Sequence, residues 1–231
     1  MSRAIGSYVI GEELTDGNTI RWPRPRDPHT LLLLHGDSFT DSSMYQVPIT
    51  NKGAVITGDK RRFGKKSFYF NGTTSLVLPA ALFSTTADSD FTIDLWCYLT
   101  GTMRAAYFLS AQIKGGFMAG ANGVGREAIA FDALFPNVNA AIPANQWVHY
   151  AAVRHKGTLT IYVNGKALVQ KGGNRMAYSS FGKPYEIGVQ GRALYGTRFS
   201  FTGYIDEYRI SDVARWTADF TPPTAPYTGV E

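Results

Sequence analysis

Gly36-Asp37-Ser38 follows four leucines, residues 31–34, in a chain of 231 residues. A buried strand that ends in a sharp turn can hold a serine hydroxyl at its tip as a nucleophile. Such a serine needs a histidine base within reach, oriented in turn by an acid. The four histidines stand at 29, 35, 149 and 155. None follows an aspartate by three residues and none is near the C-terminus, so nothing completes the serine reading.

Paired carboxylates are the next chemistry to weigh. Cleavage of a glycosidic bond takes two, about 5–5.5 Å apart for retention or about 6.5–9.5 Å apart for inversion. The segment "FTIDLWCYL", residues 91–99, offers Asp94 alone, with Trp96 and Tyr98 after it on the same strand face. Asp206 and Glu207 are adjacent, and adjacent residues of a strand point to opposite sides. No pair is visible, so a non-enzymatic protein is expected and a glycan-degrading enzyme is the weaker alternative.

Aromatic side chains on an exposed surface can stack on sugar rings while polar neighbours fix orientation. Trp96 and Tyr98, with Asp94 beside them, are candidates of this kind, although the second face of a central sandwich strand is often buried too, which makes the core the favoured place for Trp96. Tyr107, Phe117 and Tyr195 lie in long Gly-rich stretches, where binding residues concentrate. Trp147 and Trp216 are expected in the core.

The elements that would position these residues are strands. Leu31–Leu34 is a short apolar run. Phe68 and Phe70 share one face before a turn at Asn71-Gly72, and Leu76 and Leu78 alternate before Pro79. Phe91, Ile93, Leu95, Cys97 and Leu99 share one face of the clearest strand; Thr92, Asp94, Trp96 and Tyr98 share the other. Residues 147–154 form a strand, Lys156-Gly157 turns, and Leu159, Ile161 and Val163 alternate up to the tight-turn pair Asn164-Gly165. Residues 79–85 and 212–216 each suit one short helical turn. Strands at short, even spacing with Gly-containing turns predict an all-β antiparallel sandwich.

The composition agrees. Aromatic residues make up 13% of the chain and there are 24 glycines, which favours β structure. The net charge of +5 is mild. The cluster Lys60-Arg61-Arg62 with Lys65-Lys66 reads as a solvated loop, and no nucleic-acid partner is expected. One cysteine, Cys97, excludes an internal disulfide and a cysteine-based zinc site. No apolar run reaches the ~20 residues of a spanning helix, so no membrane insertion is expected. The first residues lack the apolar stretch of a signal peptide. Residues 1–28 differ from the rest: "TDGNTIRWPRPRDPH" puts three prolines among arginines. This predicts an extended arm ahead of a domain at 29–231. Trp22 has no local core there, so Trp22, Arg24 and Arg26 are candidates to dock the arm on a partner.

Five blocks, in order, resemble the laminin-G-like, concanavalin A-like jelly rolls found in bacteriophage structural proteins. They are "LLLLHGDSFTDSS", "FGKKSFYFNGTTSLVLP", "SDFTIDLWCYLT", "NQWVHYAAVRHKGTLTIYVNG" and "FTGYIDEYRISDVARWTADFTPPTAPY". The resemblance covers residues 30–227. It implies a two-sheet jelly roll, carbohydrate binding or adhesion, and often a structural calcium. Asp206 shares strand parity with Tyr204, Tyr208 and Ile210 and is expected to face inward, so its carboxylate needs a partner. That partner is a calcium ion, with Asp37, Asp41 and the backbone of Asn71-Gly72 as co-ligands, or else an arginine or backbone group. The chain departs from the family here, with His35-Gly36-Asp37 in place of Phe-Asp-Gly and Asn71 where aspartate is common. The resemblance as a whole implies a non-enzymatic virion surface protein, made in the host cytoplasm and displayed in many copies. Its expected partners are other virion proteins of tail, fibre or capsid and host-surface glycan. A decoration or cement protein without a glycan ligand is the alternative.

Overall fold

The computed structural model describes residues 14–15, 20–21, 26–100, 105–111, 118–122, 128–131, 142–173, 177, 182–189 and 200–229. Only the backbone is described at 14–15, 20–21, 105–107, 118–122, 128–131, 169 and 171. In chain order the strands are β1 (Leu14–Thr15), β2 (Ile20–Arg21), β3 (Thr30–Leu34), β4 (Thr50–Lys52), β5 (Val55–Thr57) and β6 (Ser67–Asn71). There follow β7 (Ser75–Leu78), β8 (Phe91–Leu99), β9 (Ala105–Ala111), β10 (Met118–Asn122) and β11 (Ala128–Phe131). The last are β12 (Trp147–His155), β13 (Thr158–Val163), β14 (Lys166–Lys171), β15 (Tyr185–Ile187) and β16 (Thr202–Ser211).

Two antiparallel sheets make an all-β sandwich of concanavalin A-like jelly-roll type. A six-stranded sheet runs β11-β10-β9-β15-β7-β4. An eight-stranded sheet runs β14-β13-β12-β8-β16-β6-β5, with β3 also paired to β16. Alternation along β8 sends Phe91, Ile93, Leu95, Cys97 and Leu99 into one core with Phe68, Phe70, Leu76, Leu78, Phe108 and Tyr185. Each of these large side chains, fully buried, stabilises the fold by roughly 1.5–3 kcal/mol. Cys97 is a small core residue whose thiol is pushed well up by burial.

The two expected tight turns are present. Lys156 and Gly157 have φ of 47° and 72°, and Asn164 and Gly165 have 50° and 74°. Positive φ at both central positions matches the twist of the flanking strands. Residues 80–82 form the expected short helical turn. Residues 212–216 do not: Thr92 from the sheet takes over the local backbone bonds there. Its Oγ1 donates to Val213 O at 2.7 Å and accepts from Arg215 N at 2.9 Å.

Within residues 1–28, β1 and β2 pair as a two-stranded ribbon. Asp27 already belongs to the body: its N–H donates to Gly229 O at 3.1 Å and its carboxylate is buried against Arg215 and Thr30.

Candidate functional site

The outer face of the eight-stranded sheet carries the polar and aromatic residues of interest, and its two ends differ. At one end the segment after β16 lies across the sheet. Trp216 and Phe220 stack with centroids 4.0 Å apart and cover Ala151, Val153 and Tyr162. Tyr227 is buried beneath the Arg209 guanidinium, 4.2 Å from its ring. Trp216, expected in the core, is therefore half-buried in this outer layer. Around it opens a cleft of about 600 Å³, lined by Asp27, His29, Arg209, Arg215 and Tyr227 among others.

Asp94 lies under this layer, fully buried. Arg209 holds it bidentately, Nε to Oδ1 and Nη2 to Oδ2, both at 3.0 Å. Burial opposes its charge, but the guanidinium and the nearby His149 hold its pKa down at about 2. A carboxylate so engaged cannot reach a sugar. Trp96 is 5% exposed, with the Arg62 guanidinium 4.0 Å above its ring and Phe63 against its edge. Asp94, expected as a ligand contact, is instead structural, and Trp96, read as either a core residue or a ligand platform, is buried.

The middle of the face is a junction. Along one edge of β16, β6 pairs with residues 202–205 and β3 with residues 208–211. Between them β16 bulges, with a register shift from Asp206 to Arg209 against β8 and Glu207 at φ 51°. The extra residue reverses parity. Ile205, Tyr208 and Ile210 enter the core, while Asp206 falls on the outer face opposite Trp96. The inward direction expected for Asp206 is thus corrected.

The carboxylates fill the break in pairing. Asp206 Oδ2 accepts the N–H groups of Arg62 and Phe63 at 2.9 and 3.1 Å, while its buried Oδ1 has no hydrogen-bond partner. Burial pushes the Asp206 pKa up to about 6, against those bonds. Glu207 accepts from Tyr227 N at 2.9 Å and faces His35 Nδ1 at 2.9 Å. That hydrogen bond with Glu207 raises the His35 pKa despite burial. No hydrogen bond joins Ser38 to this histidine.

The expected calcium ligands do not fit a metal as a set. Both oxygens of Asp41 are taken by its own turn: Leu33 N, Ser43 N, Ser43 Oγ and Val47 N donate to them at 2.6–2.9 Å. Asn71 Oδ1 likewise accepts from Thr73 N and Oγ1. Asp37 is exposed. Among the described residues no group of three or more His, Cys, Asp or Glu side chains could hold an ion.

At the other end of the face a row of aromatic rings crosses four adjacent strands. Tyr69 on β6 pairs with Tyr204 on β16, Tyr204 with Tyr98 on β8, and Tyr98 with Trp147 on β12. Successive ring centroids are 5.0, 6.0 and 5.7 Å apart, at interplanar angles of 43°, 85° and 68°. All four are half-buried. Val55, 53% exposed, extends the row onto β5 beside Tyr69. Lys60 Nζ lies 5.5 Å from the Tyr98 ring centroid. Burial, with Asp59 and the two neighbouring tyrosines, raises the Tyr204 pKa, so its hydroxyl stays a neutral donor.

Of the expected binding residues, only Tyr98 stands in this row. Trp147, expected in the core, belongs to it; Tyr204, expected to face inward with Tyr208 and Ile210, stands on the outer face; and Tyr69 is not singled out by the sequence. The signal that finds them is cross-strand register, since each occupies the outward position beside Tyr98 or Tyr204. Arg26 is exposed and donates to Ser43 O at 3.2 Å. Tyr107 lies in β9, with its side chain outside the description, and Phe117, Tyr195, Trp22 and Arg24 lie outside the described residues.

The six-stranded sheet has its own outward carboxylate, Glu186 on β15, 3% exposed and bonded by Ser75 Oγ at 3.3 Å. Its cross-strand neighbours are Val77 and Ser110, so the ladder gives it no acidic partner.

Comparison with known proteins places this geometry. Domain 4 of an extracellular arabinanase from Geobacillus stearothermophilus, solved with arabinotriose, is similar in fold. Its TM-score is 0.62 at 19% identity, over 80% of this chain and 93% of that one. The binding domain of Paraclostridial Mosquitocidal Protein 1 gives 0.57 at 16% identity, and that of botulinum neurotoxin serotype G gives 0.55 at 14%. The chain matches about half the length of those two domains, 49% and 48%. No curated protein sequence matches it. The laminin-G profile described as the concanavalin A-like lectin/glucanases superfamily matches residues 70–219, and the chain belongs to that superfamily.

Proposed function

We propose that this domain is a non-catalytic carbohydrate-binding module whose ligand lies across Tyr69, Tyr204, Tyr98 and Trp147. The observation that carries the reading is the row itself: four partly exposed aromatic rings, in register on neighbouring strands of one sheet. Tyr and Trp offer an apolar ring for a sugar's C–H face and a polar group for its hydroxyls. The arabinanase domain, whose structure holds an arabinose oligomer, supports the reading by analogy of fold. The absence of catalysis is supported by the engagement of Asp94 with Arg209 and by the separate roles of Asp206 and Glu207.

A glycan array probed with the full chain tests this. Binding is expected, and Tyr98→Ala and Tyr204→Ala should each weaken it by about tenfold, the effect of losing a central aromatic contact. Circular dichroism must show both variants folded. Array binding untouched by either substitution would move the site elsewhere.

Display in many copies on a bacteriophage particle, with residues 1–28 as the docking arm, is the setting we propose from the sequence motifs alone. Multiple copies would turn weak single-site binding into avidity. The chain without residues 1–25, which keeps Asp27 on Arg215 and Thr30, should fold and bind glycan yet fail to co-sediment with particles. If it still co-sediments, the docking role of the arm is lost.

A further inference from the structure

The loop between β5 and β6 reaches the aromatic row at Lys60 and carries Lys60, Arg61, Arg62, Lys65 and Lys66. Five cations in seven residues repel one another, and such a cluster is normally relieved by nearby carboxylates. Among the described residues none of the five forms an ion pair. Lys60, Arg61, Lys65 and Lys66 are exposed. The acids close by form no ion pair with them. Asp59 is exposed and acts on Tyr204. Asp37 is exposed beside His35. Asp206 spends Oδ2 on the backbone of this same loop.

The loop is held in place. Asp206 fixes its middle, Ser67 Oγ donates to Lys60 O at 2.5 Å, and Arg62 is packed on Trp96. Lys60 is thereby set against Tyr98, at the edge of the row. A fixed set of unpaired cations along one side of an aromatic surface raises the local concentration of anions there.

We infer that the ligand of the aromatic row is a polyanionic saccharide, with acidic groups repeated along the chain. This rests on the reading of the row as the glycan site. The rings contact the sugar faces and the loop cations meet the carboxylate, sulfate or phosphate groups. The ring geometry favours a saccharide over a single-stranded nucleic acid. Successive bases want broad parallel platforms, and these rings are tilted by 43–85° to one another.

The test measures binding of the full chain to polygalacturonate, dextran sulfate, a phosphate-bearing teichoic acid, neutral arabinan, neutral dextran and oligo-dT, by calorimetry at low and high salt. The expected result is preference for one or more acidic saccharides, with affinity falling about tenfold from 50 to 500 mM NaCl as the loop charges are screened. Which polymer binds identifies the acidic group. The triple variant Arg61→Ala, Lys65→Ala, Lys66→Ala should lose about tenfold in affinity for that polymer, with an unchanged unfolding temperature. Equal binding of neutral polymers, insensitive to salt and to the triple variant, would overturn the inference and leave the row as a neutral-glycan site. Tighter binding of oligo-dT than of any saccharide would overturn it in favour of nucleic acid. No saccharide binding by the folded chain would remove both this inference and the reading on which it rests.

Discussion

Single carboxylates in this protein are tuned in opposite directions, which gives its stability a particular pH profile. Asp94 has a folded pKa near 2, below the ordinary 3.8. Its contribution is complete above pH 4 and is lost as pH falls towards 2. Asp206 has a folded pKa of about 6, above the ordinary 3.8. Its contribution is complete below pH 4 and is lost as pH rises through 6, because the buried carboxyl must then ionise. His35, raised by Glu207, adds to the loss on the alkaline side. The rise of Asp206 to about 6 corresponds to about 3 kcal/mol of stability lost between pH 4 and pH 7. Asp206→Asn should therefore flatten the stability profile over that window, as read by urea denaturation at a series of pH values. A variant whose profile runs parallel to that of the wild type would show that Asp206 ionises freely in the fold.

The strands were the most legible elements, and the reason is periodicity. Alternation placed Phe91, Ile93, Leu95, Cys97 and Leu99 in the core, and Asn164-Gly165 announced its turn. The site was less legible because it depends on which strand lies beside which. The β12 register sets Trp147 against Tyr98, and nothing within either segment says so. The bulge at Glu207 was hidden for a related reason. Parity arguments assume an unbroken strand, and "GYIDEYRIS" carries no glycine or proline at the break to warn of it. Which elements cover the outer face was also invisible. Gly165 shows how close the covering segment comes: a Cβ there would lie 1.8 Å from Phe220 O, whose N–H donates to Gly165 O at 2.9 Å. Gly165→Ala should displace residues 216–220 and cost about 2–4 kcal/mol, from the clash together with the positive φ. The check is a thermal melt combined with Trp216 fluorescence. An unchanged melt and spectrum would mean that this segment adds little to stability.

For the whole molecule, the sandwich separates a supporting core from the outer face that carries the proposed glycan site. One core joins both sheets, and one outer face is divided between a covered polar layer and an aromatic row with its basic margin. Among the described residues no helix is long and apolar enough to cross a membrane. The division also has a consequence in time. β16, residues 202–211, is the central strand on which β8, β6 and β3 all pair. Any nascent chain that ends before residue 202 exposes the edges of those three strands with nothing between them, and unpaired edges invite association with other chains. Closure of the eight-stranded sheet must await contacts between residues some 170 apart, such as Leu34 with Tyr208. Such distant pairings make folding slow. The domain is thus built to fold after its synthesis is nearly done, and crowding during translation is the period in which it is most exposed to misassembly.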